Sequence, residues 1–116
     1  MTPAFDQEEL MERVDDDLEF LEETVEMLEE DAPDLVGQIR TAIEAGDAAA
    51  LATAAHTLKG LVSNFCAEPA LQAALALETM GREQTLGDAA DAMTALERET
   101  ERLQADLRAF LGSKTA

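Results

Sequence analysis

Apolar residues recur along the chain in steps of three and four, the spacing that gathers them on one face of an α-helix. Leu18, Leu21, Val25, Leu28, Ala32, Leu35, Ile39 and Ala42 form the first such stripe. Asp15, Asp16 or Asp17 can cap its start, and Gly46 marks its end. Pro33 admits two readings of this segment: a break, with Asp31 capping a second helix, or one kinked helix. The stripe stays in phase across Pro33, which favours the single kinked helix. After a Gly46-Asp47 turn, Leu51, Ala54, Ala55, Leu58, Val62 and Phe65 carry a second stripe. A third helix is expected from near Pro69 to about Gly81, with Leu71, Ala74, Leu75, Leu77 and Met80 on its apolar side. The last stripe, Ala89, Ala92, Met93, Leu96, Thr100, Leu103, Leu107 and Phe110, begins at Gly87-Asp88, with Arg102 spaced to meet Asp106 on the solvent side. Phe5 to Val14 reads as a short lead-in helix over one end.

These stripes predict an all-α protein: an antiparallel up-down four-helix bundle, about residues 15–111, with a short N-terminal lead-in helix, about residues 5–14. No linker or internal repeat divides the chain, so residues 1–116 read as a single domain.

Composition narrows the function. The 116 residues include 26 acidic and 8 basic side chains, a formal net charge of −18, with four Phe and neither Trp nor Tyr. Such a chain repels phosphodiester backbones and anionic lipid heads and has little to stack on bases, so neither nucleic acid nor membrane is an expected partner. No apolar run approaches the ~18 residues that span a bilayer, and the acidic start lacks the features of a secretory signal. A single Cys, Cys66, cannot form an internal disulfide, and the expected location is the cytoplasm. The charge is uneven: residues 1–47 hold 17 acidic against two basic side chains. Asp15-Asp16-Asp17 and Glu29-Glu30-Asp31 lack the glycine-containing ligand spacing of a calcium loop and read as caps or solvated faces, so no metal site is expected. The five Met fall at core-like positions, and no glycine-rich phosphate loop is present.

One face of the second helix is unusual. At ~100° per residue the apolar stripe lies opposite His56, the chain's one histidine, which therefore points outward. Around it lie Ala49, Ala52, Thr53, Gly60, Ser63 and Asn64, all small or short, and Lys59. A mid-helix glycine costs roughly 1 kcal/mol relative to alanine, and at Gly60 it would open the backbone to close approach by another molecule. Lys59, three residues from His56, is the only cation between Arg40 and Arg82 and could neutralise a phosphoryl group carried by the imidazole, itself a nucleophile when neutral. A lone surface histidine is usually just a polar residue, and the helical wheel by itself leaves both readings standing.

The run Ala55-His56-Thr57-Leu58-Lys59-Gly60, continuing through Ser63-Asn64-Phe65 and Ala67, closely resembles the signature of histidine-containing phosphotransfer (HPt) domains of two-component phosphorelays. The resemblance implies a four-helix bundle whose His56 accepts a phosphoryl group from a receiver-domain aspartate and passes it to another. It implies no ATP-dependent kinase activity and no bound cofactor, the Mg²⁺ belonging to the receiver. Response-regulator receivers and a hybrid histidine kinase are the partners it implies, and a free-standing monomer is expected. Family members often carry Gln or Glu 22 positions after the histidine, where Glu78 stands here, able to orient the ring through Nδ1. Two positions depart from the pattern: Leu61-Val62 stand where small residues are usual, and Cys66 where Gly is. On the wheel Leu61 and Val62 fall on the buried side. Two further readings share the resemblance, a noncatalytic module that sequesters a receiver and the phosphoacceptor domain of a chemotaxis-type or hybrid kinase.

Overall fold

The computed structural model describes residues 2–115. Five helices follow one another: α1 (Gln7–Arg13), α2 (Leu18–Ala45), α3 (Ala48–Ser63), α4 (Glu68–Glu83) and α5 (Ala89–Thr115). Among the described residues there is no strand.

One capping device starts three of these helices. Asp6, Asp17 and Asp47 each have extended backbone and accept, at 3.0 Å, the N–H three residues on, from Glu9, Phe20 and Ala50. Such caps contribute about 1 kcal/mol apiece. Of the three candidate aspartates, Asp17 caps α2, while Asp15 and Asp16 adopt left-handed backbone, which aspartate tolerates better than most residues. Gly46, at φ 66°, closes α2, and Asp47 opens α3 directly after it, so two residues reverse the chain.

Pro33 does not break α2. The helix runs 28 residues through it, with Ala32 buried and Pro33 facing solvent. At 1.5 Å per residue that is about 42 Å, close to the molecule's 45 Å long axis. α3 packs on α2 and α4, and α5 on α4 and α2, a closed ring of antiparallel neighbours. Inside it Leu21, Val25, Leu28, Ile39, Leu51, Leu58, Val62, Phe65, Leu77, Leu96, Leu103 and Leu107 are buried. α1 covers one end, as the lead-in pattern predicts: Leu10 and Val14 are buried, and Phe5 meets Phe110 edge-on, centroids 5.6 Å apart.

Four expectations need correction. Arg102 does not pair with Asp106: it is drawn inward, 2.9 Å from Glu99 and 2.7 Å from the Thr2 carbonyl oxygen, because the N-terminal segment returns across α5. Met27 is exposed, the first stripe having already filled the core side of α2; Met11 and Met80 are half-buried, Met93 is buried, and Met1 lies outside the described residues. Leu61 is only half-buried, at the rim of the α2–α3 seam, whereas Val62 is buried. The third helix does not stop at Gly81 but continues to Glu83, closing on a left-handed Gln84.

Candidate functional site

His56 stands near the middle of α3 with 61% of its side chain exposed, while the core stripe of the same helix is sealed. Beneath it lies Glu78 of α4, a carboxylate only 3% exposed. Glu78 Oε2 is 3.1 Å from His56 Nδ1, and Oε1 is 2.7 Å from Lys59 Nζ. Arg82, one turn further along α4, closes on Oε2 from the other side. Three cation-capable groups thus share one buried acid.

This juxtaposition depends on how closely α4 approaches α3. A Cβ on Gly81 would sit 2.7 Å from Ala52 N and 2.8 Å from Ala48 O, so no residue but glycine lets the two backbones come this near. Gly81 is three residues from Glu78, about one turn, and therefore sets the carboxylate's reach toward His56. Gly60 differs: nothing lies within 4 Å of where its Cβ would be, and internal packing gives no reason for a glycine there.

Ionic contacts hold the Glu78 carboxyl below the usual carboxylate range. The Lys59 ammonium is the largest cause; burial opposes it, and the hydrogen bond to His56 and the charge of Arg82 help to outweigh that opposition. An ionised carboxylate can only accept, so the shared proton sits on Nδ1 and, in the neutral ring, the lone pair is on exposed Nε2. With Lys59 and Arg82 against one Glu78, the site carries a net positive charge beside that nitrogen.

The other expected surface residues divide. Ala49, Thr53, Gly60 and Asn64 are exposed on the His56 side of α3. Thr53 and Thr57 turn their hydroxyls back on their own helix, donating to Ala49 O and Thr53 O, and Ser63 donates to Gly60 O, so the surface stays flat and has few free donors. Ser63 is half-buried, and its carbonyl accepts from Arg13 of α1 at 2.8 Å. Ala52 is half-buried under Gly81, so its smallness serves the α3–α4 packing. The sequence reasoning passed over Arg82, although Glu78 and Arg82 have the i, i+4 spacing of a helical ion pair. It also missed the packing role of Gly81, for which one helix alone gives no sign. Cys66 has φ 55°, a conformation glycine adopts freely, which explains why the position suits Gly. Its thiol is pushed up mainly by burial, against the pull of Arg13. Among the described residues no three His, Cys, Asp or Glu side chains converge as a metal site, and no helix is long and apolar enough to cross a membrane.

The chain is thus a four-helix bundle with an exposed histidine, paired with a buried carboxylate, at the middle of one helix. Residues 23–106 match the Hpt domain family, and the chain belongs to it. Hpt domains carry phosphoryl groups between receiver domains and hybrid kinases and are not ATP-dependent kinases themselves. Among solved structures, the chain is similar to histidine-containing phosphotransfer protein B (HptB) from Pseudomonas aeruginosa PAO1 at 26% identity, covering 97% of this chain and 98% of that one with a TM-score of 0.78. Comparison with curated protein sequences gives no match.

Proposed function

We propose that His56 is the phosphoacceptor and donor of a phosphorelay, with a receiver-domain aspartate on either side of the exchange. The observation that carries this reading is the pairing of exposed His56 with a buried, ionised Glu78 through Nδ1. The Nε2 lone pair attacks the phosphorus of the receiver's aspartyl phosphate. As the N–P bond forms, the P–O bond to the aspartyl group breaks, and the carboxylate leaves with the bonding electrons. The ring becomes cationic and keeps its Nδ1 proton, which Glu78 stabilises in place. Transfer to a second receiver reverses these steps. Lys59 and Arg82 offset the charge of the phosphoryl oxygens, since positioning and charge neutralisation carry most of such transfers. Ala49, Thr53, Gly60 and Asn64 form the flat surface that lets the receiver's aspartate reach Nε2. The reading sets this exchange in the cytoplasm and involves a monomer, because the bundle completes its four helices within one chain.

Incubation with a radiolabelled, phosphorylated receiver tests the proposal. Acid-labile, base-stable label on this protein, lost in His56→Gln, is the expected result. Binding without transfer would leave a sequestering module, and label acquired only from ATP and a kinase domain would leave a kinase substrate domain.

A further inference from the structure

Two cations hold the buried Glu78, and they do so differently. Lys59 meets Oε1 at 2.7 Å, and its side chain is 26% exposed. Arg82 meets Oε2, the oxygen that also faces His56 Nδ1 at 3.1 Å, and its side chain is 65% exposed. Among the described residues Glu78 is the only ion partner of either cation. The ring proton and the guanidinium thus compete for one oxygen. Arg82 is the charged donor and takes the larger share of it, so the Nδ1 proton has a weaker bond than an unshared carboxylate oxygen would give. Glu78 itself is fixed: it is 3% exposed, and the close approach at Gly81 holds this part of α4 against α3.

A phosphoryl group on Nε2 changes that balance. It places negative oxygens on the far side of the ring carbon that separates the two nitrogens, and it makes the ring cationic, so the Nδ1 proton becomes a charged donor to Oε2. A guanidinium matches phosphoryl oxygens with paired N–H groups, whereas an ammonium meets them as a point charge. Of the two cations Arg82 also has the looser seat, open to solvent where Lys59 is mostly covered. We infer that Arg82 changes partner with the state of His56: in the unmodified protein it holds Glu78 Oε2, and on phosphorylation it moves to the phosphoryl oxygens, leaving Oε2 to the Nδ1 proton while Lys59 keeps Oε1. The carboxylate's full hold on the ring is then available only while the phosphoryl group is present, and Arg82 returns to Glu78 when a second receiver takes that group away. Arg82 is in this sense a positioning residue, acting on the ring through Glu78. The inference rests on His56 as phosphoacceptor and goes beyond it in naming the cation that moves.

The test uses the full chain, ¹⁵N-labelled, with phosphoramidate as donor, so that no receiver covers the site; Nε2 takes the phosphoryl group as the P–N bond breaks and ammonia leaves. Side-chain ¹⁵N and ¹H resonances of Arg82, Lys59 and His56 are followed before and after phosphorylation. Those of the Arg82 guanidinium should shift, while the Lys59 ammonium keeps its position. In unphosphorylated Arg82→Gln the Nδ1 proton should already lie downfield of its wild-type position, with circular dichroism unchanged because the side chain is exposed. Arg82→Lys, still a cation four residues from Glu78, should restore most of that difference. A merely structural Arg82 would leave the Nδ1 proton where it is. Phosphorylated His56 with Arg82 unmoved, with Lys59 moving in its place, or with no Nδ1 shift in Arg82→Gln would overturn this inference alone. A His56 that takes no phosphoryl group from phosphoramidate or from a phosphorylated receiver would overturn it together with the reading beneath it.

Discussion

The two flanks of α3 meet opposite conditions. Toward α4 the backbone of Ala52 comes so close that a Cβ on Gly81 would be 2.7 Å from it; toward solvent, the space over Gly60 is empty. Both positions hold glycine on a helix that would be more stable with alanine. The first glycine is explained inside the molecule, whereas nothing packed inside it accounts for the second. The same division separates the charges. The one acid near His56 is buried and matched by two cations, while acids on the free flank of α2 stand unmatched in water.

Substitution at Gly81 breaks this comparison most severely. Gly81→Ala should destabilise the bundle by about 1–3 kcal/mol, because the added methyl meets backbone that cannot swing aside. Thermal denaturation should show the loss, and an unchanged midpoint would mean that α3 and α4 can separate at no cost. Glu78→Leu should slow transfer from a phosphorylated receiver by about tenfold or more, as removal of a histidine's orienting partner commonly does. Glu78→Gln still offers Nδ1 an acceptor and should lose less. Because Glu78 titrates lower in the fold than in the unfolded chain, its ionic contribution is complete above the ordinary carboxylate range and disappears as pH falls through its lowered value. The stability gap between wild type and Glu78→Gln should therefore narrow on acidification below about pH 4; a gap independent of pH would count against the ion cluster.

A smaller and more selective effect is expected at Gly60. Gly60→Ala should raise stability by about 0.5–1 kcal/mol, with no internal clash to oppose it. Gly60→Gln should leave the bundle folded yet weaken receiver binding severalfold, measurable by calorimetry, since each 1.4 kcal/mol is about tenfold. Unaltered affinity would show that the open surface is not a docking surface. Smallest of all, Cys66→Gly should relieve a left-handed strain of about 1 kcal/mol, partly offset by the lost half-buried thiol.

The helices were legible because each is one apolar stripe with its own stop signal: Asp17, Gly46 and Asp47 act as their residue types suggest. His56 and Lys59 were legible from the direction of the wheel and the motif, and Glu78 only from a family spacing, since nothing within α4 tells how near α3 lies. Pro33 stayed ambiguous because local propensity and the phase of the stripe disagree there; with Ala32 and Ile39 both in the core, packing keeps the helix continuous. Arg102 was misread because its partner, the Thr2 carbonyl, is 100 residues away along the chain.

The central claim concerns one nitrogen. Phosphorylating protein that carries ¹⁵N-labelled histidine with a receiver, and recording ¹⁵N and ³¹P spectra, locates the phosphate directly. Phosphorus coupled to Nε2 of His56, with Nδ1 still protonated, is the predicted result. Phosphate on Nδ1, or on any other residue, would contradict the account.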